Sequence, residues 1–192
     1  MARLKINPWI EVWYNPRTTI KSILKYNSKY MVLPMAGLLG ISLLSLLFES
    51  KDDIVGGSSF IGSSFVAALV GIGVLFILSY LFSMTGRWMG GKSTSEKFRL
   101  AMVWSGVPTI ASLILFIPLF FSMNSELLGI MGLTTIIKWA LILWSIYLFI
   151  SMISELENFS MLRSVFHIIL VGIIITIPIL FVKILIGTSS IL

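Results

Sequence analysis

The chain lacks cysteine, has one histidine, and is poor in charge: Asp, Glu, Lys and Arg make up 11% of its 192 residues. Without cysteine there are no disulfides, no thiol nucleophile and no thiolate metal site, and compartment redox leaves no mark. His167 stands alone among few carboxylates, so catalysis is not expected, and neither a metal nor another cofactor is expected. The apolar runs carry no ionisable side chain at mid-depth, a feature that ion- and proton-coupled carriers usually need. They also lack the period-2 alternation of barrel strands. The start, Met1-Ala2-Arg3-Leu4-Lys5, has no apolar h-region with a cleavage site after it, so no signal peptide is expected and the first apolar run serves as the insertion signal.

What the chain does have is length of hydrocarbon. Hydrophobic residues reach 57%, and five apolar runs cover 30–48, 64–86, 100–122, 134–153 and 164–186. Each is near the ~20 residues a helix needs to cross ~30 Å of hydrocarbon. Backbone polar groups in lipid must be satisfied internally, which leaves helices as the spanning element. The fold class is therefore all-α: a polytopic membrane helical bundle with five transmembrane helices, preceded by an N-terminal interfacial amphipathic segment. Residues 1–29 form the cytoplasmic interfacial segment, and residues 30–192 form one five-span transmembrane domain.

Eleven of the fourteen Lys and Arg residues fall on one side of these spans. Arg3, Lys5, Arg17, Lys21, Lys25 and Lys29 precede the first, Arg87, Lys92, Lys97 and Arg99 link the second and third, and Arg163 links the fourth and fifth. The opposite side has Lys51 among Glu49, Asp52 and Asp53, then Glu126, with Lys138 and Lys183 near span ends. The positive-inside rule places the N-terminus inside and the C-terminus outside the cell membrane. The net charge of +6 has the same origin, together with attraction to anionic lipids, so no nucleic-acid partner is expected.

Asn7-Pro8 and Asn15-Pro16 each pair an N-cap residue with proline at a first helical position. The first short helix would gather Trp9, Val12 and Trp13. The second would set Ile20, Ile23 and Leu24 against Arg17, Lys21 and Lys25. This segment is expected in the inner interface as a surface anchor, or as a docking or gating element beneath the bundle. The stretch 49–63 is acidic, then rich in glycine and serine, and is expected to be a mobile outer loop. Ala67 and Gly71 form a small-xxx-small pair, and Gly37, Gly40, Ser42 and Ser45 offer the same to the first span, which suits close helix packing. Pro108, Pro118 and Pro178 are expected to bend spans three and five. Ile117-Pro118-Leu119-Phe120 is echoed by Ile177-Pro178-Ile179-Leu180, which leaves open a parallel repeat of two hairpins.

Gly86-Arg87-Trp88-Met89-Gly90-Gly91-Lys92-Ser93 fits the phosphate-binding pattern G-x4-G-K-[ST] letter for letter. That chemistry requires a strand before the loop and a helix after it in an α/β domain. Here a membrane span precedes the loop, and nucleotide hydrolysis is not expected. Ser93-Thr94-Ser95-Glu96 instead has the form of a capping box, with Ser93 as N-cap and Glu96 three residues on. Free N–H groups there, with Lys92, Lys97 and Arg99 close by, would suit a lipid phosphate. A plain capped loop is the other reading. Glu155, Glu157 and Arg163 are expected as a solvated inner-edge cluster, with pairing of His167 left open.

Several of these segments share a resemblance. Asn7-Pro8-Trp9-x-x-Val12-Trp13-x-x-Pro16-Arg17-x-Thr19-Ile20 resembles the opening motif of prokaryotic members of the Yip family of five-span membrane proteins. Gly90-Gly91-Lys92-Ser93 through Arg99, Ala101 and Trp104 to Pro108 is similar to that family's linker between spans two and three. Ser154-Glu155-Leu156-Glu157-Asn158-Phe159-Ser160 resembles its link into the last span. The resemblance implies a five-helix fold with a cytosolic N-terminus. The eukaryotic branch interacts with Rab GTPases and supports vesicle trafficking. This chain lacks that branch's long polar N-terminal tail and its Asp-Leu-Tyr-Gly-Pro-type motif, so Rab binding does not carry over.

The expectation is a non-enzymatic membrane protein that binds lipids, anionic headgroups among them, or an unknown membrane or cytoplasmic protein partner. Trp9, Trp13, Arg17, Gly90, Gly91, Lys92, Arg99 and Pro108 are the candidate binding residues. A homo-oligomer is left open. The alternative is a small transporter, channel or lipid-translocating protein for an uncharged or lipid substrate, with Thr109, Ser112, Ser145, Tyr147, Ser151 and Thr176 as polar lining.

Overall fold

A computed structural model describes residues 6–45, 57–115 and 128–189 of the chain. The helices in chain order are α1 (Pro8–Glu11), α2 (Pro16–Tyr26), α3 (Val32–Leu44), α4 (Gly57–Trp88), α5 (Ser95–Ser105), α6 (Val107–Ala111), α7 (Leu128–Glu157) and α8 (Met161–Ser189), with a 3-10 turn at Ser112–Leu115 after α6. No strand occurs among the described residues.

Proline starts both N-terminal helices, as its fixed φ allows. Asn7 Oδ1 accepts the Trp9 N–H at 3.1 Å. Asn15 does not cap α2 with its side chain; its carbonyl instead accepts the hydroxyls of Thr18 and Thr19, each at 2.9 Å. Ile20 and Ile23 on α2 are fully buried, and α2 packs on α5 and α7. Its apolar face therefore meets protein. On its polar face Lys21 Nζ lies 2.6 Å from Glu155 Oε1. Helix α2 is thus packed on the bundle by its apolar face and tied to α7 by its polar one.

Four helices are long and apolar enough to cross a membrane, over Gly62–Trp88, Ser95–Leu115, Leu133–Glu157 and Met161–Phe181, and Val32–Leu44 is a shorter apolar helix. The thirteen residues of α3 rise ~20 Å; residues 46–48 of the expected first span lie outside the described residues. Residues 49–56 of the expected loop lie outside the described residues, and its remainder requires correction, because α4 begins at Gly57. Gly57, Ser58, Ser59, Gly62 and Ser63 are helical. The long helix that they open overrides the low helix propensity of these residues, which is a weak local preference.

The α3–α4 contact is a seam of small residues. A Cβ on Gly71 would come within 2.8 Å of both the Ala36 carbonyl oxygen and Gly40 Cα. One on Gly40 would overlap the Ala67 carbonyl oxygen. Ala67 and Gly71 thus act as the spacing suggested, and they meet Ala36 and Gly40.

The third span is interrupted. Gly106 N–H bonds to Met102 O at 3.1 Å and Ile110 N–H to Gly106 O at 2.9 Å, but Pro108 between them has no N–H to offer. Helix α5 stops at Ser105 and α6 restarts at Val107. By contrast α8 continues through Pro178. Pro118 and the Ile117–Phe120 half of the suggested repeat lie outside the described residues. Within its membrane-crossing window the interrupted span is 61% buried, against 17–28% for the other three long spans. It is the axis of the bundle.

Candidate functional site: the basic end

The helices α4 and α7 end in the same way. At the end of α4 the Gly91 N–H reaches back to Gly86 O at 2.8 Å, with Gly90 in the left-handed region at φ 85. At the end of α7 the Phe159 N–H reaches Ser154 O at 3.0 Å, with Asn158 left-handed at φ 55. Both are Schellman-type stops, in which a left-handed residue turns the chain and satisfies a helix carbonyl. They bring the loop 89–94 and the turn 158–160 together at the end of the bundle where α2 docks.

Glu157 sits where they meet. Its Oε2 accepts the Lys92 N–H at 2.6 Å and the Ser93 N–H at 3.2 Å. Ser93 Oγ donates to Leu156 O at 2.8 Å, and Ser83 Oγ donates to Ser93 O at 3.1 Å. The expected capping box is corrected on this point. Thr94 is the residue before α5, with no side-chain cap bond, and the Glu96 carboxylate accepts the Ser28 hydroxyl. The loop that resembles a phosphate cradle does hold an anion, and the anion is the chain's own carboxylate.

Room for that carboxylate comes from two glycines. A Cβ on Gly86 would lie 2.8 Å from Glu157 Oε1 and 3.2 Å from His167 Cε1, and one on Gly91 would overlap the carboxylate. His167 is fully buried. Its Nε2 lies 2.8 Å from Thr85 Oγ1 and 3.1 Å from Phe82 O. Thr85 Oγ1 donates its hydrogen to Leu81 O at 2.8 Å, and Phe82 O can only accept, so Nε2 is the protonated nitrogen. Glu157 Oε1 and His167 Nδ1 are buried without a hydrogen-bond partner. Arg163 donates to Met89 O and lies 4.3 Å over the Phe159 ring. The expected solvated cluster is therefore corrected: Glu157 is only 6% exposed, Glu155 pairs with Lys21, and Arg163 braces the loop.

The other candidate residues are placed around this knot. Lys92 is exposed beside it, and Gly90 and Gly91 form its rim. Arg17 donates to Ser154 Oγ at 3.4 Å. Trp9 packs on the buried Trp104, centroids 5.1 Å apart, and Trp104 stacks on Tyr30 at 5.9 Å. Trp13 packs partly buried on the core. Arg99 lies 4.7 Å over the Phe76 ring. Pro108 is buried at the break between α5 and α6, apart from the others. Of the expected polar lining, Thr109 Oγ1 and Ser145 Oγ meet at 2.8 Å, Ser112 bonds to Thr109 O at 2.6 Å, and Thr176 is exposed.

Two of the hollows bear on the site. One, of about 370 Å³, lies between the end of α4 and the start of α5, lined by Tyr80, Ser83, Met84, Arg87, Trp88, Thr94 and Ser95. Arg87 and the start of α5, at Thr94 and Ser95, line it together, and a cation beside a helix start is a combination suited to an anion. Arg87 was visible in the charge count; Tyr80, Trp88 and Thr94 carried no signal of their own. The second, also of about 370 Å³, lies among α3, α4, α5, α6 and α7 and is apolar apart from Ser105, Thr109 and Ser145. Among the described residues no group of three or more His, Cys, Asp or Glu is placed to hold a metal ion.

A bundle of apolar helices around an interrupted central span, with one basic, knotted end, defines an integral, multi-pass membrane protein. The chain belongs to the Yip1 domain family, whose model matches residues 10–183. No curated protein and no solved structure matches it.

Proposed function

We propose that the chain is a non-enzymatic protein of the cell membrane, its basic end in the cytoplasm, that binds lipids with anionic headgroups there. The observation that carries this reading is the hollow beside the knot, where Arg87 and the start of α5 converge between Tyr80 and Trp88. Tyrosine and tryptophan favour the headgroup level of a bilayer, and Arg87, Lys92, Lys97 and Arg163 are all exposed at this end. The loop amides of Lys92 and Ser93 are engaged by Glu157, so the headgroup contact falls to the hollow and to the basic side chains.

Native mass spectrometry of the protein released from mixed-lipid nanodiscs tests this. Anionic lipids should be retained over neutral ones, and less so as salt rises. Arg87→Gln should lower retention by roughly fivefold, the effect of ~1 kcal/mol per basic residue near the surface. Equal retention of neutral lipid would sink the reading. A second reading, passage of an uncharged or lipid substrate, is favoured by the broken span beside the apolar cavity, since irregular backbone at membrane depth is tolerated where it is enclosed by protein or lines a cavity. Lipid scrambling in vesicles that rises with protein amount would support it.

A further inference from the structure

The apolar cavity has a shape and a position that select an occupant. Its lining includes no ionisable side chain. Leu43, Val74 and Ile146 at its rim are 48%, 44% and 46% exposed, so it opens on the flank of the bundle. Its α4 wall runs from Gly71 to Phe82, a rise of ~16 Å at 1.5 Å per residue. That is close to half of the ~30 Å hydrocarbon layer, the depth of one leaflet. The Phe82 end lies next to the basic end, because the Phe82 carbonyl accepts from His167.

Water is a poor tenant, since it needs two to four polar partners and the walls offer three hydroxyls. Thr109 and Ser145 bond to each other, and Ser105 Oγ donates to Met102 O at 3.0 Å. An empty cavity would forfeit dispersion contacts along its whole lining. At a flank that faces bilayer, the remaining tenant is hydrocarbon.

We infer that the cavity seats one alkyl chain of a lipid from the leaflet that borders the basic end, held against the floor formed by Gly40 and Gly71. The seat deepens the lipid-binding reading, and rests on it only for the placement of the flank in a bilayer. It adds a selectivity for chain that the headgroup hollow, on the opposite face of α4, does not provide: Gly71, Leu75, Leu78 and Phe82 line one side of that helix and Tyr80, Ser83, Met84 and Arg87 the other.

The test is photolabelling in nanodiscs with an anionic phospholipid that carries a diazirine on its acyl chain, followed by peptide mapping. Labels should concentrate on cavity residues such as Leu78, Met102 and Ile142. They should fall several-fold in Val74→Trp, which fills the mouth from a half-exposed position, while thermal melting stays as in the parent. Should Val74→Trp fail to fold, Ile146→Phe at the same rim serves in its place. Labels spread evenly over the lipid-facing sides of α4 and α8, unchanged by the rim variant, overturn the seat. Even labelling with anionic preference intact removes the seat alone; concentrated labelling without anionic preference removes the headgroup reading alone.

Discussion

Glu157 gives one carboxylate oxygen to two amides and leaves the other buried beside an imidazole. Glu157→Ala strips both amides of their acceptor, the Ser93 one in a buried bond, and an unsatisfied buried donor costs about 1–3 kcal/mol. We expect a clear drop in the melting temperature of the nanodisc-embedded protein. Glu157→Gln keeps an oxygen for the amides and loses only the charge assistance, so its melting should lie between the parent and the alanine variant. Equal melting of all three would show that the knot does not hold this end. Gly91→Ala should resemble Glu157→Ala, because its Cβ would occupy the carboxylate's place. The sequence made Gly90-Gly91-Lys92-Ser93 conspicuous without revealing its ligand. Ser93 bonds to Leu156 across 63 positions, and no local pattern announces a partner that distant. The capping-box spacing was present, and tertiary bonds claimed both of its side chains.

At the scale of the element, the α3–α4 seam and the docked α2 helix differ in what holds them. Gly40→Ala forces its Cβ against the Ala67 backbone and should lower stability by about 1–3 kcal/mol, the usual range for overpacking. Gly73→Ala meets nothing within 4 Å and should be neutral or raise stability by up to ~1 kcal/mol through helix propensity. Melting of the two variants side by side checks both signs. For α2, Ile20→Ala or Ile23→Ala should cost about 2–5 kcal/mol if the helix unfolds with the bundle. Lys21→Ala should cost less than ~1 kcal/mol, because the Lys21 side chain is 59% exposed. Protease access to residues 6–30 would report the detachment. The amphipathic pattern made the buried face of α2 legible, since Ile20 and Ile23 stand out among charges. It could not say whether protein or lipid covers that face. The helical start of α4 was misread for a related reason: the loop signal of glycine and serine is a local preference, and it yields to the long helix that they open.

For the whole molecule, length and hydrophobicity made the membrane bundle readable, because lipid imposes a nearly binary choice on backbone. They could not show which span lies at the centre. The basic end was legible as a charge count, and it is assembled from three separate parts of the chain. Arg17 with Ser154, Lys21 with Glu155, Ser28 with Glu96 and Lys92 with Glu157 all meet there. If that end faces the cytoplasm, a reporter fused after Leu192 should be active only outside. Cytoplasmic activity of the fusion would reverse the orientation.

The break in the central span also bears on how the protein is made. Thr109 donates its backbone N–H to Ser145 Oγ at 3.2 Å, a partner 36 residues further along. Synthesis must therefore proceed well into α7 before this amide, buried in the folded protein, gains its partner. Until then the nascent protein holds in the bilayer a segment whose Ser105, Thr109 and Ser112 are destined for the interior. A chain cut short before Ser145 would present that turn to lipid, and should be handed to the degradation machinery of the membrane rather than accumulate.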